Sequence, residues 1–102
     1  MSQAKNRTPL TPAQLEGIAG LFKILGEPMR LRILQAVCHG PRSVGEIVVV
    51  ADSTQANVSK HLALLTAAGI LRREKDGQRV LYQVRNELAV KLCELVRAQL
   101  KD

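Results

Sequence analysis

Few side chains of this 102-residue sequence are equipped for chemistry. Cys38 and His39 are neighbours, a thiol beside a base, but successive residues on a helix point about 100° apart, so the two do not converge on one substrate. Nothing else in the chain supplies a converging acid, base and nucleophile. No catalytic residue is therefore assigned, and an enzyme is the third choice of function class. Cys38 and Cys93 each fall on an apolar helical face, where cysteine acts as a small hydrophobe. Two thiols form no disulfide framework and are too few for a tetrahedral zinc site within one chain. The alternative reading of the pair is a thiol redox switch. Gln55-Ala56-Asn57-Val58-Ser59-Lys60-His61 offers different chemistry. Gln and Asn can pair bidentately with adenine, Lys reaches guanine or phosphate, and small alanines permit close approach to a groove floor. Arg72, Arg73, Lys75 and Arg79 gather about one turn, as phosphate-seating cations do.

These groups need rigid elements to position them. Thr11-Pro12-Ala13-Gln14 combines an N-cap, a proline at the first helical position and a reciprocal Gln, and predicts a helix over about 12–25 with Leu15, Ile18, Phe22 and Leu25 at helical spacing. Pro28 opens a second helix, carrying Leu31, Leu34 and Cys38 with Ile33 and Val37 beside them, and Gly40-Pro41 ends it. The capping box Ser43-Val44-Gly45-Glu46 predicts a short third helix to about Val50 or Ala51. After a break at Asp52-Ser53, Thr54 caps a fourth helix with the inward stripe Val58, Leu62 and Leu65. This turns Gln55, Ala56, Asn57, Ser59, Lys60 and Ala63 outward and leaves His61 at the stripe's edge. Beyond Gly69 the apolar period falls from 3.6 to 2, giving two strands joined at Asp76-Gly77. A last helix over about 87–100 carries Leu88, Ala89, Leu92, Cys93, Leu95, Val96 and Leu100, a face wider than one small core needs. The fold expected is mainly α with a small β-hairpin: a winged helix-turn-helix of about five helices and a two-stranded wing. Residues 1–10 read as a flexible N-terminal tail, and 11–102 as one DNA-binding and dimerisation domain.

Composition agrees with a polyanion partner. Fifteen Lys and Arg against nine Asp and Glu give a net charge of +6, and six cations face two acids between Ser53 and Arg85. Apolar residues make up 46% of the chain but aromatics only 2%, so the core is expected to be aliphatic, with Phe22 and Tyr82 its only rings. No run has the length of a membrane span and the polar start lacks a secretory signal's apolar centre, so a cytoplasmic protein is expected.

Four segments in order then resemble the ArsR-type family of regulators. They are Phe22-Lys23-Ile24-Leu25-Gly26-Glu27-Pro28-Met29-Arg30-Leu31-Arg32-Ile33-Leu34, Ser43-Val44-Gly45-Glu46-Ile47, Gln55-Ala56-Asn57-Val58-Ser59-Lys60-His61-Leu62, and Ala68-Gly69-Ile70-Leu71 through Tyr82. The resemblance implies a homodimeric repressor bound to a partly palindromic double-stranded operator and released by an inducer. It implies a dimer interface on the first and last helices, here Leu15, Ile18, Phe22, Leu88, Leu92, Leu95 and Val96. DNA contacts would fall at the fourth helix and wing. The set expected is Ser43, Thr54, Gln55, Ala56, Asn57, Ser59, Lys60, His61, Arg72, Arg73, Lys75 and Arg79.

Relatives usually have glycine where this chain has Asp52, a residue that tolerates the left-handed conformation. Thiolate-metal members carry Glu-Leu-Cys-Val-Cys on the third helix; Glu46-Ile47-Val48-Val49-Val50 stands here, and valine has no lone pair to give. Members with a last-helix metal site use His and carboxylates there, whereas His39 and His61 lie elsewhere. No metal or cofactor is expected. Some relatives sense persulfides or oxidants with one cysteine on the second helix and one on the last. Cys38 lies about a turn later and Cys93 about two turns earlier than those. The competing class is a winged-helix protein-interaction module without sequence-specific DNA binding, which more often shows exposed apolar residues on the outer face of the fourth helix.

Overall fold

The computed structural model describes residues 8–100. Its elements are α1 (Pro12–Leu25), α2 (Pro28–Val37), β1 (Arg42–Ser43), α3 (Val44–Ala51), α4 (Gln55–Ala67), β2 (Leu71–Asp76), β3 (Arg79–Val84) and α5 (Glu87–Gln99). Local chemistry sets the helix starts. At α1, the Gln14 amide N–H donates to Thr11 Oγ1 at 3.1 Å and the Thr11 N–H donates to Gln14 Oε1 at 2.9 Å. Ser43 and Glu46 close the same reciprocal box on α3, and Thr54 caps α4 through the Asn57 N–H. Glu27 caps α2 by accepting from the Arg30 N–H. Each cap satisfies backbone donors that a helix start leaves without partners. The turn from α3 to α4 places Asp52 at φ 53°, the left-handed conformation anticipated for it.

The sheet has three strands in the order β1-β3-β2, all antiparallel. The expected two-stranded wing therefore gains a strand, Arg42 opposite Tyr82 and Ser43 opposite Leu81. Two residues are too few for an alternating pattern, and Ser43 already reads as a helix cap, so nothing in the sequence marked this strand. At the wing's base the Ile70 carbonyl accepts from the N–H groups of both Arg85 and Asn86, closing the end of the hairpin.

The core is aliphatic: Ile33, Ile47, Val58, Leu62, Leu65, Ile70 and Leu71 are essentially fully buried, with Val37, Ala51 and Ala89 among them. Phe22 does not belong to it. The residue is 54% exposed: on α1 Leu25 is buried and Leu21 and Ile24 are half-buried against the core, while the helix before Leu21 is exposed. Tyr82 is half-buried against the core. Among the residues of α5 only Ala89 is buried, while Leu88, Leu95 and Val96 are exposed. The Cα radius of gyration is 15.8 Å, against about 13 Å for a compact chain of this length. The excess fits terminal helices that extend from the core rather than closing over it.

Candidate nucleic-acid interface

The rotation of α4 about its axis decides what it presents. Val58, His61, Leu62 and Leu65 are buried; Gln55, Ala56, Ser59, Lys60 and Ala63 are exposed, as are Leu64 and Ala67 toward the helix's far end. The helix begins immediately after the Asp52 turn, which leaves Gln55 and Ala56 at the exposed end. Arg32 Nη1 donates to the Ala51 carbonyl at 3.5 Å, tying α2 to the last turn of α3 just before that turn.

Three residues of the expected DNA-facing set hold structural positions. His61 is only 9% exposed and bonded inward to Arg30, so it is removed from the outer face. Asn57 is half-buried, and its Nδ2 donates to Ser53 Oγ at 3.0 Å, which keeps its amide in the turn. Ser43 is half-buried, shared between β1 and the α3 cap. Thr54 is exposed while its hydroxyl caps α4.

On the wing all four expected cations are exposed, but their partners divide them. Arg72 Nη2 lies 3.4 Å from Glu74 Oε2, and Glu74 also accepts a hydrogen bond from Gln83. Arg79 Nη2 lies 3.4 Å from Glu46 Oε1, linking β3 to α3. Glu46 is held below the usual carboxylate range, first by the backbone N–H of Ser43, then by its hydroxyl, with Arg79 contributing less. Among the described residues, Arg73 and Lys75 have no acidic partner. Alternation along β2 puts these two on one face of the strand and Arg72 and Glu74 on the other. The sequence showed the cluster but not this division, because an ion pair to α3 cannot be read from local spacing.

The thiols occupy one place. Cys38 and Cys93 both line a groove of about 450 Å³ between α2 and α5, together with His39, Glu94 and Arg97. Cys38 Sγ donates to the Gln35 carbonyl, and burial pushes the Cys93 thiol above its ordinary range. A neighbouring apolar groove of about 320 Å³ is lined by Phe22, Leu25, Leu31, Leu92, Val96 and Leu100. Among the described residues no three of His, Cys, Asp and Glu come together as metal ligands, and no helix is long and apolar enough to cross a membrane.

A capped helix-turn-helix with a polar outer helix and a cationic hairpin beside it defines a winged-helix DNA-binding protein. Residues 25–74 match the family profile described as a helix-turn-helix domain. A probable mercury resistance operon repressor of Streptomyces lividans is 33% identical over 84 residues, covering 82% of this chain and 67% of that one. Among solved structures, the AntR antimony-specific transcriptional repressor superposes with a TM-score of 0.87 at 25% identity, over 97% of this chain and 90% of its own. The homodimeric winged helix-turn-helix domain of a Mycobacterium bovis protein gives 0.74 at 25% identity, over 90% and 88%. The chain belongs to the ArsR family of winged helix-turn-helix transcriptional regulators.

Proposed function

We propose that residues 11–102 form one DNA-binding and dimerisation unit that acts in the cytoplasm as a homodimeric repressor of a double-stranded operator. The observation that carries the reading of DNA is the pairing of two surfaces: the polar face of α4, and the unpaired Arg73 and Lys75 on the wing. Gln55, with Ala56, Ser59 and Lys60, reads base edges and the nearest phosphates, Thr54 seats a phosphate, and the wing cations hold the flanking backbone. Arg72 and Arg79 join them only by giving up acidic partners. A docking module would expose apolar residues where Gln55, Ser59 and Lys60 stand.

The second copy is argued from α1 and α5, whose Leu15, Ile18, Phe22, Leu88, Leu95 and Val96 are all exposed by 40% or more. The half-buried Leu92 continues that face. Covering such a surface is what a self-complementary two-fold interface does, and the M. bovis neighbour is homodimeric. The reading is tested by selection of duplexes from a random-sequence pool by the full-length protein. An enriched, partly palindromic site bound well above random DNA is expected; no enrichment overturns it.

The shared groove favours a second reading of Cys38 and Cys93, as the point where an inducer acts. Two-electron oxidation of the pair to a disulfide, with two protons released and the electrons passed to a peroxide, would fasten α2 to α5. Operator binding by Cys38→Ser and Cys93→Ser under oxidant tests it: both variants must lose a response that the wild type shows.

A further inference from the structure

Two polar side-chain groups of α4 are buried: the Thr66 hydroxyl, which has no hydrogen-bond partner among the described residues, and the His61 ring, which belongs to a network that the reading of DNA has not used. Arg30 Nε donates to His61 Nδ1 at 3.3 Å, and Arg30 Nη1 donates to the Ile24 carbonyl in the last turn of α1 at 3.3 Å. Glu27 Oε2 accepts from the Arg30 N–H, and the same oxygen stands 3.7 Å from His61 Nε2. A guanidinium nitrogen only donates, so His61 Nδ1 must be the bare acceptor and the ring proton sits on Nε2, facing the Glu27 carboxylate. Nδ1 thus has a hydrogen-bond partner while Nε2 faces a carboxylate oxygen beyond hydrogen-bond reach, and both groups come from the start of α2.

We propose that Glu27, Arg30 and His61 form a positioning triad that fixes the rotation of α4 and couples it to the end of α1. The inference rests on α4 being the DNA-reading helix. Apolar contacts at Val58, Leu62 and Leu65 hold α4 against the core by packing but supply no directional bond. The His61 ring adds direction. It follows Ser59 and Lys60 in the chain, about 200° and 100° around the axis from them, so where the ring is held, the outer face is held too. Through Ile24, Arg30 also joins α4 to a helix that is exposed from Pro12 to Gly20. His61 and Arg30 touch no DNA in this account; they act through the seating of Gln55, Ser59 and Lys60.

The test uses the full-length protein, the duplex it enriches from a random pool, and an unrelated duplex of equal length. Leaving the part-buried Arg30 donor without its acceptor in His61→Leu, or the buried His61 acceptor without its donor in Arg30→Met, predicts that each weakens the enriched duplex about tenfold and the unrelated one less than about twofold. The double variant should lose less than the sum of the two single losses, since both break the Arg30–His61 contact. His61→Asn, which places an acceptor on Cγ where Nδ1 stands, should restore most of the discrimination. The ring tautomer, read from imidazole ¹⁵N shifts, should show the proton on Nε2 and should change in Arg30→Met. Variants that bind the enriched duplex as the wild type does overturn the triad, and so does an equal loss on both duplexes, which marks damage to the fold. If His61→Leu does not fold, His61→Asn against His61→Gln decides, and equal binding by the two overturns the proposal. If the wild type enriches no sequence, the DNA-reading assignment itself fails, a result distinct from all of these.

Discussion

The segment from α2 to α4 and the terminal pair α1 and α5 are built to different degrees of completion. In the first, each helix buries an apolar stripe, Ile33 and Val37 of α2, Ile47 and Ala51 of α3, and Val58, Leu62 and Leu65 of α4, although Leu31, Val49, Val50 and Leu64 stand exposed beside it, and capping side chains hold the helix starts. In the second, capping is as good but burial is not. α1 has a complete capping box and one buried residue; α5 has an Asn86 cap and one buried residue. A well-capped helix with an exposed apolar face gains little from its own chain, since most helical stability in proteins comes from packing. The difference separates a reading head that one chain completes from a layer that, on our proposal, a second copy completes.

Substitutions in the two regions should therefore fail differently. Leu62→Ala removes packing from a closed core and is expected to lower unfolding stability by about 2–5 kcal/mol, read by denaturant melting. Leu95→Asp leaves that core untouched but puts a charge in the proposed interface. It should raise the dimer dissociation constant about thirtyfold or more. Melting losses of equal size at a fixed dimer constant would erase the contrast.

Within the reading head, a smaller division is expected between α4 and the wing. Gln55→Ala should lower affinity for the enriched duplex more than for random DNA, because a base-edge contact carries sequence information. Arg73→Ala should weaken both alike and reduce the salt slope by about 1. Arg79→Ala should do less, since its guanidinium is shared with Glu46. If the wing variants change sequence preference and Gln55→Ala does not, the roles are reversed.

The smallest effects belong to the α2–α5 groove. Stoichiometric divalent metal or arsenite should leave the DNA complex intact, Val48 and Val50 having no lone pairs to offer. Because burial raises the Cys93 thiol, it should alkylate more slowly at neutral pH than a free cysteine. Metal-driven release that survives Cys38→Ser and Cys93→Ser would reveal oxygen and nitrogen ligands not recognised above.

Much of this architecture is written in local chemistry. Thr11 with Gln14, Ser43 with Glu46, and Thr54 each announced a helix start, and Asp52 announced the turn, because caps act within three residues. Features set by distant partners were not legible. β1 exists only because β3 lies beside Arg42 and Ser43. Phe22 was expected in the core because its spacing matched Leu25, but spacing does not say whether a neighbour is there to cover it. His61 was the nearer miss: 58, 61, 62 and 65 follow the i, i+3, i+4, i+7 pattern of one buried face, and its polarity argued against placing it there. What reconciles it with burial is Arg30, 31 positions away in the chain.

The contrast between closed core and open terminal helices rests on one claim, that a second copy covers α1 and α5. Sedimentation equilibrium of the full-length protein at micromolar concentration tests it without DNA. The account predicts a particle of twice the 11.2 kDa protomer, shifted toward the protomer by Leu95→Asp; a wild type that sediments only as the 11.2 kDa species would contradict it.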